Sequence, residues 1–185
     1  ALDELAAHGL CVIAEGAWTP AQRRSLRSHF EEEILPVLTP LAVQDLAPCP
    51  LLQPLRLHVA ARVRLGGDGA SRETILAIPV PQHRPRFVPI PAAGQTTLAL
   101  LEEVIAANVA LLLPACDVQA TSCFRITRDA DVEIQEDEAA DLLHTVEQAV
   151  RERRRRAAVR LEVAAGGDRG IRRWLADWTG VRRED

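Results

Sequence analysis

The chain has 185 residues, 48% of them hydrophobic and 26% charged, with a formal net charge of −4. That length carries one domain with a true core, and the acidic balance excludes a general nucleic-acid binder, whose footprint is basic overall. No apolar run approaches the ~18–20 residues needed to cross a bilayer, and no signal-peptide pattern opens the sequence, so the expected setting is the cytoplasm.

In chain order, Ala1–Gly9 reads as a short helix end stopped by Gly9, and Leu10–Ala14 as a short apolar strand. Both look like the tail of a preceding domain. Thr19 suits a helix N-cap and Pro20 the first helical position. Leu26, Phe30 and Ile34 then follow at spacing four, one buried stripe, and Pro36 ends the helix. Pro40, Pro48, Pro50 and Pro54 keep the next stretch irregular.

Leu55–Leu65 alternates: Leu57, Val59, Ala61 and Val63 point one way, with His58, Arg62 and Arg64 on a polar face. Gly66-Gly67-Asp68-Gly69 is a hairpin turn by composition, Glu73–Val80 the return strand and Arg86–Ile90 a third strand. A helix capped at Thr96 or Thr97 is expected to run to about Leu113 and stop at Pro114. Phe124–Gln135 alternates as a strand interrupted by a polar turn, and Glu136-Asp137-Glu138 opens a helix over Ala139 to about Arg156. Acid at its start and Arg153–Arg156 at its end suit the helix dipole. Ala158–Val163 is a last strand, and Asp168 caps a final helix carrying Ile171, Trp174, Leu175 and Trp178. The sum is an α+β domain: a mainly antiparallel sheet of about five strands, with helices packed on one face.

Few residues point to chemistry on their own. The four cysteines show no C-x-x-C spacing, so free thiols are expected rather than zinc. None of His8, His29, His58, His83 or His144 has a second ligand at metal spacing. Asp129 and Asp131 read as a turn whose side chains accept backbone N–H bonds rather than as a divalent-cation site. No Gly-rich loop with a following Lys-Ser/Thr is present. Arg86, Arg125 and Arg128 are the residues best placed to face a polyanion, because Arg grips phosphate oxygens bidentately. Arg128, at a strand end, leads that set. The tetra-Arg run has a plainer reading, as helix-dipole complement and partner of Glu147 and Glu152.

Five segments, in order, resemble the middle ("head") domain of bacterial polyphosphate kinases. They are Phe30-Glu31-Glu32-Glu33-Ile34-Leu35-Pro36-Val37-Leu38-Thr39-Pro40-Leu41-Ala42, Pro85-Arg86-Phe87-Val88-Pro89-Ile90-Pro91, and Leu101-Glu102-Glu103-Val104-Ile105-Ala106-Ala107-Asn108. Thr127-Arg128-Asp129-Ala130-Asp131 follows, then Val159-Arg160-Leu161-Glu162-Val163 after the Arg-rich helix end. One departure is Gln53-Pro54-Leu55-Arg56, where the family usually shows Asn and Ser.

The resemblance implies three parts: residues 1–17 as the end of an N-terminal helical domain, 18–181 as the head domain, and 182–185 as a tail. It implies a parent enzyme that transfers the terminal phosphate of ATP to polyphosphate through a phosphohistidine, with Mg²⁺. That histidine belongs to a His-x-Lys motif in two C-terminal domains. All 22 basic residues here are Arg, so the motif is absent and no catalytic residue and no metal ligand is assigned to this chain. The chain also lacks Met, even at position 1, and reads as a piece of something longer. Expected partners are the remaining domains, polyphosphate and a second copy in a homodimer, with no nucleic acid and no transmembrane segment. The expected location is cytoplasmic, with peripheral attachment to the inner membrane as a variant. The rival reading is a non-catalytic polyanion-binding or assembly module of the same fold.

Overall fold

The computed structural model describes residues 4, 8–43, 52–65, 72–92, 96–128 and 158–181. The Gly66–Gly69 turn, Asp129 and Asp131, the expected helix over 139–156, His144 and Cys49 lie outside the described residues.

The centre is a five-stranded, wholly antiparallel sheet. Its strands are β2 (Leu41–Ala42), β3 (Leu57–Leu65), β4 (Arg72–Pro79), β7 (Cys116–Arg128) and β8 (Ala158–Val163), in the order β2-β4-β3-β7-β8. A smaller sheet has the order β1-β6-β5. In it β6 (Thr96–Leu100) pairs in parallel with β1 (Leu10–Val12) and antiparallel with β5 (Phe87–Ile90). This is the expected α+β architecture, with the smaller sheet added to it.

Three α-helices complete the described residues. In α1 (Pro20–His29), the Thr19 hydroxyl accepts the Gln22 N–H while the Gln22 side chain accepts the Thr19 N–H, a reciprocal cap. Leu26, Phe30 and Ile34 are all buried as the spacing predicts. The α-helix, however, stops at His29 and widens into a π-helical turn over Phe30–Ile34, then tightens into a 3₁₀ turn over Leu35–Val37. Pro36 has no N–H, and its ring clashes with the carbonyl four residues back, so the regular ladder cannot run through it.

The helix expected from Thr96 is instead strand β6 followed by α2 (Leu101–Leu112). Leu98 and Leu101 fit a helical stripe, but Thr97 and Ala99 are buried and alternate with partly exposed neighbours. Pairing on both sides by β1 and β5 decides the matter, tertiary context overriding local pattern.

Two cores lie on the two faces of the large sheet. One joins Val59, Ala61, Val63 and Ile78 to Phe30, Ile34, Val104 and Ile105. The other joins Ala60, Ala77, Phe124 and Ile126 to Ile171 and Leu175 of α3 (Arg169–Thr179). The expectation of helices on one face is therefore corrected. The His58-Ala60-Arg62 side of β3 reads as polar, yet it supports the second core. His58 itself is 1% exposed, not on a solvated face.

Asp168 caps α3 as expected, its Oδ1 accepting the Ile171 N–H at 2.8 Å. No helix among the described residues is long and apolar enough to cross a membrane.

Candidate functional site

One group of charged side chains lies on the sheet face that carries α2. β5 and β6 run antiparallel, and just before β5 the Arg86 carbonyl accepts the Leu101 N–H at 2.8 Å. That bond sets Arg86 beside the first turn of α2. Its guanidinium grips the Glu102 carboxylate through Nε (3.0 and 3.3 Å) and Nη2 (2.5 Å). The partners differ in exposure: the Arg86 side chain is 55% exposed and that of Glu102 only 6%. The hydrogen bonds that Arg86 donates to the Glu102 carboxylate hold the arginine pKa above its ordinary value.

β7 forms the floor beneath this pair. The Cys123 thiol lies 3.8 Å from the Glu102 carbonyl. Burial first, then the Glu102 and Glu103 charges, push that thiol up to about 12, so it is an inert SH group.

Arg125, two residues along β7, shares the face because strand side chains alternate. Its Nε donates to Glu162 Oε2 at 2.7 Å, and Arg160 reaches Glu162 Oε1 at 3.0 Å. The Arg125 hydrogen bond holds the Glu162 carboxyl below its ordinary range. Arg125 also lies close enough for its charge to oppose that of Arg86. The face therefore carries three arginines and two carboxylates within one neighbourhood.

The structure brings Arg86 and Arg125 together and keeps Arg128 apart. Arg128 lies on the Phe124–Ile126 side of β7, 6% exposed, so one surface cannot take all three side chains. Glu102 and Glu162 carry no weight in the sequence reading. The available signal was an acid set among Leu101, Val104 and Ile105, all core residues. A helix beginning at Thr96 would carry Glu102 in its second turn, whereas the helix begins at Leu101 and carries it in the first.

Among the described residues the histidines do not join the site. His8, His29 and His83 are exposed and His58 is buried. Among the described residues no three His, Cys, Asp or Glu side chains converge as metal ligands.

A family model for the polyphosphate kinase middle domain matches residues 21–185. The chain belongs to the polyphosphate kinase family, as its middle domain. It is 41% identical over 154 residues to the polyphosphate kinase of Thermosynechococcus vestitus, which covers 80% of this chain and 21% of that protein. It is 37% identical over 187 residues to that of Aphanizomenon baltica, covering 96% of this chain and 48% of the other. A crystal structure of polyphosphate kinase from Porphyromonas gingivalis matches 98% of this chain and 25% of its own, with a TM-score of 0.68 at 20% identity. The chain thus spans a fifth to a half of the length of these relatives.

Proposed function

We infer that this domain lines part of the cavity in which a parent polyphosphate kinase moves the terminal phosphate of ATP onto polyphosphate. Arg86 and Arg125 face the polyanion. The observation that carries this reading is their placement: the exposed Arg86 and half-buried Arg125 guanidinium groups on one sheet face, each oriented by a carboxylate. A guanidinium already gripped on one edge keeps donors for a phosphate oxygen and loses little freedom on binding one. Arg128, buried on the opposite side, is assigned to the strand end rather than to the polyanion.

The phosphohistidine of the parent reaction lies outside this chain. Mg²⁺ and ATP belong to the parent as well. The parent works in the cytoplasm as a homodimer to which this domain contributes.

The test has two arms. Inorganic polyphosphate is titrated into the chain calorimetrically at several salt concentrations. Binding that weakens with salt, and weakens further in Arg86→Ala and Arg125→Ala, is the expected result; no binding by the unmodified chain, or no change in either variant, overturns the polyanion face. Separately, the chain is incubated with ATP and Mg²⁺. Polyphosphate made by this chain alone would overturn the assignment of the chemistry to other domains.

A further inference from the structure

We propose that Glu102 is the positioning residue of this face: it sets the Arg86 guanidinium so that its outer edge meets a phosphate. The inference rests on the polyanion reading above and goes one residue deeper. Glu102 sits in the first turn of α2 among Leu101, Val104 and Ile105, and is itself 5% exposed. A carboxylate taken out of water there is tolerated only with a charged partner in good geometry. The helix N-terminus adds modest help.

The pair is lopsided in a way that a simple clasp does not require. The acid is buried and the base is 55% exposed. Glu102 occupies the Nε/Nη2 edge of the guanidinium. Nη1 then has no protein partner among the described residues, and the Nη1/Nη2 edge is one of the two that match a pair of phosphate oxygens. The Glu102 backbone lies against β7, where the Cys123 Sγ stands 3.8 Å from its carbonyl oxygen. β7 also carries Arg125, whose guanidinium Glu162 of β8 orients. One strand therefore bears one guanidinium and packs beneath the residue that orients the other, that of Arg86.

The sign of a charge-removing substitution separates positioning from its rivals. Glu102→Gln deletes a negative charge beside an arginine. If Glu102 is only a nearby charge, polyphosphate binding tightens. If it is only a structural clasp, the thermal midpoint falls while affinity well below that midpoint is unchanged. Positioning predicts weaker binding, about fivefold for a partly exposed pair, with a shallower salt dependence. It also predicts no further weakening when Glu102→Gln is added to Arg86→Ala, since the effect runs through Arg86. Glu103→Gln is the charge control: its carboxylate accepts the Glu15 N–H at 2.9 Å instead, and its loss leaves binding equal or tighter. Should Glu102→Gln fail to fold, Glu102→Asp carries the same test, because it keeps the charge while shortening the reach; weaker binding supports positioning and unchanged binding overturns it.

Failure of the unmodified chain to bind polyphosphate overturns both readings. Binding that Arg86→Ala weakens and Glu102→Gln tightens overturns this one alone.

Discussion

His58 shows how much one side chain depends on being neutral. It is 1% exposed, stacked on Phe124 with ring centroids 5.2 Å apart, and its Nδ1 lies 2.9 Å from the Arg56 carbonyl. A carbonyl only accepts, so Nδ1 carries the proton in the neutral ring. Burial pulls the pKa from 6.5 to about 4, the Arg56 charge adding to it and the Arg56 carbonyl opposing it. The folded value lies below the unfolded one, so between the two the unfolded chain binds more protons. The stability contribution is therefore full above pH 6.5 and lost as pH falls toward 4, about 3 kcal/mol across that window. Urea unfolding at a series of pH values measures it, and His58→Phe is expected to remove the His58 part of the slope. A slope unchanged by that substitution would show that other groups carry the acid sensitivity. Cys123 gives a second residue-scale outcome. With its thiol pushed up to about 12, it is expected to stay unmodified in a short iodoacetamide pulse at pH 8. The same pulse in urea should label it, which peptide mass spectrometry reads directly.

At the scale of elements, the turn from β8 into α3 is built on close approach. Ser122 Oγ of β7 accepts the Asp168 N–H at 2.8 Å, and a Cβ on Gly167 would stand 2.7 Å from that same oxygen. Asp168 also turns its Oδ2 to Arg62 Nη2 at 3.4 Å. Gly167→Ala must push the Ser122 hydroxyl away, so it costs the overpacking strain of about 1–3 kcal/mol together with the hydrogen bond. Ser122→Ala makes room, and the double variant is expected to be less destabilised than the two single losses added together. Denaturant midpoints for the four proteins test this; strict additivity would mean that the two residues do not meet.

The same element shows what could be read in advance. Asp168 as a cap, and Ile171 and Leu175 as the buried stripe, follow from spacing and side-chain chemistry. That α3 covers the His58-Ala60-Arg62 side of β3 does not, because an alternating strand with one polar-looking side gives no sign of a helix arriving about a hundred residues later. β6 failed to show itself for a related reason: its Leu spacing fits a helix as well as a strand, and only the partners β1 and β5 choose. The candidate site was half legible. Arg86 and Arg125 follow from residue type and position, whereas the carboxylates that hold them become visible only once β5, α2, β7 and β8 are packed.

For the whole molecule, the matter that bears on stability is how residues before Trp18 join the rest. The family model begins at residue 21, but β1 is a strand of the smaller sheet. The Thr96 N–H donates to the Gly9 carbonyl at 3.1 Å and the Ile13 N–H to the Leu98 carbonyl at 2.9 Å. Trp18 Nε1 donates to the Ile13 carbonyl at 3.2 Å, and Glu103 receives the Glu15 N–H. Arg23 adds an ion pair to Glu15 at 2.9 Å, mostly solvated and worth little. Removing residues 1–17 leaves one side of β6 without its partner strand and uncovers Trp18, which is 5% exposed in the intact chain. The lost hydrogen bonds, these together with the β1–β6 ladder, contribute about 0.5–1.5 kcal/mol each and are partly recovered by water, for a net loss of about 2 kcal/mol. For a chain of this size that corresponds to a fall in Tm of about 4–8 °C. Thermal unfolding followed by tryptophan emission is the measurement, with a red-shifted native spectrum from the uncovered indole as its companion. An unchanged Tm and an unshifted spectrum would show that the fold is complete from Trp18 onward and that the β1 pairing adds nothing to its stability.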